Sequence, residues 1–222
     1  MDGRTALVIG ATGLVGSHLV QLLLNNDNFS SIKVFGRRST GLQHPKLREH
    51  LINFDRPEEW RHLVTGDVAF SALGTTLKKA GSKAAQYKID HTYQYEFSQA
   101  AAQNGVPVYV LVSSAMAHEH SRIFYSRMKG ELERDIKVLP FQNIHIIQPG
   151  ILKGDRAESR TGEKIGIKLI EFLNSLGIAK KQKPVPASIV AQAMINVSFR
   201  KDKKIEVYSL LEVFDAAKNQ YE

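Results

Sequence analysis

Short runs of β-branched and aromatic residues alternate along this chain with longer stretches whose apolar positions recur every three or four residues. The short runs predict strands at Thr5–Ile9, Ser31–Phe35, Leu51–Phe54, Val68–Ser71, Val108–Ser113 and Ile144–Gln148, with a weaker one at Ile205–Tyr208. The longer stretches predict helices at Leu14–Leu24, Glu58–Leu63, Ala84–Gln103, Arg122–Val138, Glu163–Leu176, Ile189–Val197 and Leu210–Lys218. Asn104-Gly105 closes the third helix and Pro107 heads the next strand, where breakers belong. Alternation of this kind builds βαβ units. Right-handed crossovers then give an α/β fold with a doubly wound parallel sheet, a Rossmann arrangement that takes its ligand at the carboxyl edge of the strands. No linker or repeat interrupts the pattern, so residues 1–222 read as one domain, with 151–222 including substrate-covering segments. Within that region Gly162–Leu176 reads either as a substrate cover or as the buried face of a core helix.

Composition narrows the class. The chain has 222 residues, 43% of them hydrophobic and 23% charged, which suits one globular domain with a sizeable core. It has no cysteine, which excludes disulfides and thiolate chemistry. No secretory leader and no apolar run of about 20 residues is present, so a cytoplasmic protein off the membrane is expected. The net charge of +8 raises the question of a polyanionic partner. Its two densest clusters, Lys180-Lys181-Gln182-Lys183 and Arg200-Lys201-Asp202-Lys203-Lys204, lie between predicted elements without interleaved aromatics. They read as solvated loops and argue against nucleic acid. His118-Glu119-His120 offers too few ligands from one loop for a closed metal site, so no metal is expected.

The first strand opens into Gly10-Ala11-Thr12-Gly13-Leu14-Val15-Gly16 and then a helix. In that context Gly10 permits the tight turn, Gly13 lets backbone approach a pyrophosphate, and Gly16 lets the helix pack on its strand. The helix start adds free N–H groups and a positive dipole end, so a dinucleotide is the expected ligand. The second strand ends Gly36-Arg37-Arg38, without the acid that would bond a ribose 2′-hydroxyl. Two guanidinium groups there suit a 2′-phosphate and favour NADP(H), although they also fit a solvated turn. Asp55 either accepts from the adenine amino group or caps the helix after Pro57. Leu73-Gly74-Thr75, after the fourth strand, is small enough to let a cofactor lie against backbone, or is a plain glycine turn.

Ser113-Ser114 follows the fifth strand, and Tyr125 and Lys129 share one helix face beyond it. An ammonium beside the phenol would lower its pKa, so that Tyr125 could pass a proton to or from a carbonyl oxygen. Ser114 would polarise that oxygen, with Ser113 as the fallback.

Taken together, Gly10–Gly16, Arg37-Arg38, Ser113-Ser114, Tyr125 with Lys129, and Gln148-Pro149-Gly150 resemble a short-chain dehydrogenase/reductase of the atypical or extended type. A closer likeness is to the HIV Tat-interacting-protein family of NADPH-binding oxidoreductase-like proteins. It is carried by Leu73-Gly74-Thr75-Thr76 with Ala80-Gly81-Ser82 and Asp90, by Phe124-Tyr125 through Lys129-Gly130-Glu131, and by Pro149-Gly150-Ile151-Leu152 with Asp155–Arg160. The resemblance implies that Thr12, Gly13, Leu14 and Val15 hold the pyrophosphate and Arg37 and Arg38 the 2′-phosphate. It further implies that Leu73 and Gly74 line the adenosine side, Leu152 sits by the nicotinamide with Pro149 just before it, and Arg160 touches cofactor or substrate. Asp90 stands where the wider superfamily often has Asn, and Gln148 where it often has Arg.

The expected function is therefore an NADP(H)-dependent oxidoreductase acting on an unidentified carbonyl or alcohol. The alternative is an NADPH-binding regulatory or interaction protein, since the resembled family is associated with protein partners. A sugar-nucleotide epimerase is disfavoured, because the roughly 70 residues after Gly150 leave little for its substrate lobe. Absence of Gly-x-Ser-x-Gly argues against an α/β-hydrolase.

Overall fold

The computed structural model describes residues 3–153 and 184–218. Its strands are β1 (Arg4–Ile9), β2 (Phe29–Gly36), β3 (Leu47–Leu51), β4 (Val68–Ser71), β5 (Val108–Val112), β6 (Asn143–Gln148), β7 (Leu152–Lys153), β8 (Val185–Pro186) and β9 (Ile205–Ser209). Seven of them form one sheet in the order β3-β2-β1-β4-β5-β6-β9, and every pairing is parallel. The weak candidate at Ile205–Tyr208 is a true edge strand. Chain order reverses between β1 and β4, the crevice where open α/β sheets bind ligands. The small pair β7-β8 stands apart from this sheet.

Side chains that alternate across a strand split the core in two. Ala6, Val8, Val68, Phe70, Val108 and Val110 face a layer that holds α1 (Leu14–Leu24) and α7 (Ala187–Val197). Leu7, Ile9, Ala69, Tyr109 and Leu111 face the other layer, with α5 (Tyr93–Gln103) and α6 (Phe124–Lys137). Both faces are covered, so the central strands read as continuous apolar runs. Helix α8 (Glu212–Lys218) follows β9 and packs on α7, where the Asn196 amide donates 3.0 Å bonds to the carbonyls of Ala216 and Ala217.

One expectation is corrected and another refined. The third strand lies at Leu47–Leu51, four residues earlier than its apolar run. Ile52 makes the last bond to Gly36, and Phe54 then leaves the sheet to stack on Tyr93 at 5.0 Å and meet Trp60 at 6.0 Å. Hydrophobicity there marks a packed turn, while the edge strand itself is largely polar. The helix expected over Ala84–Gln103 is present, from Lys83 to Gln103, but it is not uniformly α. Short α3 (Leu77–Ala80) ends at Gly81 in the left-handed region, φ +85°, and α4 (Lys83–Tyr87) starts at a Ser82 cap that accepts from Ala85 N–H. A π-turn, Lys88–Thr92, joins α4 to α5. Its extra residue changes helical phase, so that Asp90, His91 and Gln94 are all buried.

Candidate functional site

Because the sheet is parallel, the carboxyl ends of β1, β2, β4, β5 and β6 meet along one edge. The expected glycine turn sits there. Gly10 has φ +81°, and a Cβ on it would come within 2.4 Å of the Ala72 backbone after β4. A Cβ on Gly16 would meet the Gly10 carbonyl at 2.1 Å, so only glycine lets α1 start against the turn. Gly13 caps α1 without a side-chain acceptor, and the Ser17 amide is the first to bond back to it. The amides of Leu14, Val15 and Gly16 are therefore the orphan donors of the helix start. Thr12 and Gly13 are exposed beside them, while the Val15 side chain packs in the core. These features fit a pyrophosphate group held by backbone, as the sequence implied.

At the end of β2, Arg37 and Arg38 are exposed and make no hydrogen bond or ion pair with another described residue. Asp55 does not cap α2 (Pro57–Trp60): the residue at that cap is Arg56, with no side-chain bond. Instead Asp55 accepts from the Tyr93 hydroxyl at 2.7 Å and pairs with Lys88 at 2.7 Å. The Lys88 hydrogen bond, helped by Tyr93 and the nearby Arg37, holds its carboxyl below the ordinary range. Leu73 is half-buried against the core, and Gly74 is exposed, where a Cβ would meet only Asp90 Oδ2, at 4.0 Å.

Thr75 belongs to a buried polar chain. Its N–H donates to Asp90 Oδ1 at 2.6 Å, Gln94 donates to the Asp90 carbonyl at 2.6 Å, and the Ser71 hydroxyl donates to Gln94 at 2.7 Å. Asp90 is 1% exposed. Burial pushes its carboxyl up to about 6, against the pull of the Lys129 ammonium, the Thr75 amide and Gln86.

Tyr125 and Lys129 rise from α6 beside the β5 end, but the expected effect of the ammonium is corrected. The phenol is pushed up to about 12 by burial and by Asp90, with the Ser114 hydroxyl acting the other way. Lys129 is itself buried, which lowers its pKa, while Asp90 and Glu133 hold its charge. Its ammonium reaches the Val112 carbonyl at 3.5 Å. The two adjacent serines part company. Ser113 donates to Glu133 Oε1 at 2.5 Å, and Ser114 is the hydroxyl at Tyr125.

Glu133 was not foreseen. It is 5% exposed and also takes both Gln148 bonds, at 2.9 and 3.1 Å, with Lys137 at 3.5 Å. Its spacing of four from both Lys129 and Lys137 was the available signal. This carboxylate explains Gln148: an amide donates to it without adding a cation. Pro149 is buried and its carbonyl accepts from Ala115 N–H, while Leu152 lies in β7 and packs on the core. Arg160, Gly162–Leu176 and the Lys180–Lys183 cluster lie outside the described residues.

His118 and His120 lie in the loop before α6. A Cβ on Gly130 would stand 2.2 Å from Glu119 N, so their loop is pressed onto α6, and Glu119 pairs with Arg134 at 3.3 Å. Among the described residues no cluster could hold a metal ion, and no helix is long and apolar enough to cross a membrane.

Comparison with known proteins agrees with this architecture. Residues 10–197 match the NAD(P)H-binding family. The mitochondrial protein fmp52-1 of Aspergillus terreus is 33% identical over 201 residues, covering 87% of this chain and 86% of that protein. Mitochondrial FMP52 of Saccharomyces cerevisiae is 40% identical over 159 residues, covering 69% and 68%. Among solved structures, MoeE5 with UDP-glucose and NAD superposes with a TM-score of 0.68 at 17% identity, over 96% of this chain and 81% of that one. The UDP-N-acetylglucosamine 4-epimerase of Methanobrevibacter ruminantium gives a TM-score of 0.71 at 14% identity, over 95% and 77%. Likeness at that identity shows the fold alone, an NAD(P)-binding Rossmann-like sheet.

The mitochondrial relatives overturn the cytoplasmic expectation. Secretory leaders bear only on export, and mitochondrial addresses follow a different, amphipathic pattern. The glycine turn, the switch-point crevice and these relatives together make the chain a member of the NAD(P)H-binding family, with a Rossmann-like fold.

Proposed function

We propose that the protein is an NADP(H)-dependent oxidoreductase that interconverts a carbonyl and an alcohol, and that it works in mitochondria like its named relatives. The observation that carries the reading is the placement of Ser114, Tyr125, Lys129 and Asp90 on the strand edge that also holds the glycine turn. Residues 1–222 act in it as one domain. When bound, the cofactor supplies or accepts hydride. Thr12 to Val15 hold its pyrophosphate by backbone, and Arg37 and Arg38 take the 2′-phosphate. Leu73, Gly74 and Thr75 border its adenosine half, while Pro149, Leu152 and Arg160 border the nicotinamide side. Ser114 orients the substrate oxygen and Tyr125 Oη gives or takes the proton there. Lys129 keeps positive charge beneath that proton path. The likeness to the Tat-interacting-protein family belongs to this proposal too.

Turnover is followed at 340 nm over a panel of carbonyl substrates. Tyr125→Phe is expected to lower kcat about 100-fold or more while leaving NADPH binding in place. Robust turnover in Tyr125→Phe would overturn the assignment. The second reading, an NADPH-binding regulatory protein, is favoured by the Tyr125 phenol standing near 12, far above a working proton donor at neutral pH. Tight NADPH binding with no turnover across the panel supports it.

A further inference from the structure

The loop that follows the arginine pair is tied to the sheet by one carboxylate. Glu49 lies in β3 opposite Val34 of β2. Ser39 Oγ donates to its Oε2 at 2.5 Å, and Thr40 donates to its Oε1 twice, from N at 2.7 Å and from Oγ1 at 2.6 Å. The same two hydroxyls accept from the next amides: Gly41 N–H to Ser39 at 3.0 Å, and Leu42 N–H to Thr40 at 3.2 Å. These bonds turn residues 39–42 around Glu49, with Gly41 in the left-handed region at φ +76°. Arg37 and Arg38 thus sit on a short backbone segment anchored at both ends, by strand β2 before them and by the Glu49 clasp after them.

Charge around the arginines follows the same plan. Glu49 is occupied by Ser39 and Thr40, and Asp55 by Lys88 and Tyr93, each at 2.7 Å. Neither carboxylate ion-pairs with Arg37 or Arg38. Both carboxylates stay anionic, but their oxygens are taken up by these donors and pair directly with neither guanidinium. The arginines keep their donors free and their backbone fixed, the two conditions for bidentate capture of a phosphate at small ordering cost.

We propose that Glu49 is a specificity-determining positioning residue: by clasping Ser39 and Thr40 it presets Arg37 and Arg38 for the 2′-phosphate and so sets the preference for NADPH over NADH. The inference rests on the NADP(H) reading above. It assigns the selectivity partly to a residue with no place in the dinucleotide motifs.

The test is fluorescence titration of the full chain with NADPH and with NADH, for wild type, Glu49→Ala and Glu49→Gln. Both variants remove the negative charge, so relief of repulsion is common to them. Only the glutamine can still accept from Thr40 and bond Ser39. Glu49→Ala is expected to lose about tenfold in NADPH affinity with NADH affinity within about twofold, and Glu49→Gln to recover most of the loss. Equal NADPH affinity in the two variants, or an equal loss for NADH, would overturn the clasp. If wild type itself prefers NADH, the NADP(H) reading fails first, and the two failures are told apart by that one control.

Discussion

The hydroxyl of Ser113 donates a 2.5 Å hydrogen bond to the buried carboxylate of Glu133, and this commits one of two adjacent serines to holding α6 against the β5 end. Ser114, one residue on, accepts from Met116 N–H at 3.3 Å and acts to lower the pKa of the Tyr125 phenol. The pair therefore separates into a structural and a chemical role. Ser113→Ala leaves a buried carboxylate short of a donor and is expected to cost about 1–3 kcal/mol in urea denaturation. Ser114→Ala is expected to leave stability within about 1 kcal/mol and to lower kcat tenfold or more. Full stability with abolished turnover in Ser113→Ala would reverse the assignment.

The glycines of the cofactor edge differ in what they make room for. Gly16→Ala drives a Cβ into the Gly10 carbonyl, so α1 must shift from the turn at a cost of about 1–3 kcal/mol. Gly74→Ala meets only Asp90 Oδ2, at 4.0 Å, and is expected to leave the melting temperature unchanged while weakening cofactor binding. Calorimetry and NADPH titration of both variants check the contrast. Loss of stability in Gly74→Ala would mean that the residue supports the fold.

Asp90 ties stability to pH. Its carboxyl stands near 6 in the folded protein because burial outweighs Lys129, Thr75 and Gln86. Between about pH 4 and about pH 6 the folded state holds a proton that the unfolded chain has released, so this group's contribution to stability falls as pH rises. Asp90→Asn removes the contribution. The stability of the variant relative to wild type is expected to rise by up to about 3 kcal/mol across that window and to stay level above it. A difference that is flat from pH 4 to pH 7 would contradict the buried, proton-holding carboxyl.

Legibility followed sequence distance. The β1 turn, α1 and the Arg37-Arg38 pair are local patterns, and Leu14–Leu24 was readable to the residue. The third strand was misplaced because its apolar run, Leu51–Phe54, packs a turn against Tyr93 and Trp60 while the polar Arg48-Glu49-His50 pairs with β2. The π-turn at Lys88–Thr92 was invisible, since one inserted residue shifts helical phase without changing composition. Glu49, Glu133 and Lys88 were missed because each finds its role through partners 9 to 33 residues away. Ser113 and Ser114 could not be separated for the same reason. A buried partner on α6 divides them.

The exposed arginines carry the phosphate assignment. Replacing both Arg37 and Arg38 by alanine is expected to cut NADPH affinity at least about tenfold, to leave NADH affinity nearly unchanged, and to flatten the salt dependence of NADPH binding. Parallel titrations at two ionic strengths read all three effects. Unchanged NADPH affinity in the double variant would move the 2′-phosphate elsewhere.

The most direct measurement on the central claim is a side-by-side fluorescence titration of the wild-type chain with NADPH and NADH at one ionic strength. Two free guanidinium groups on a fixed loop, with both nearby carboxylates engaged, predict that NADPH binds at least about tenfold more tightly. Equal binding, or tighter binding of NADH, would contradict the account.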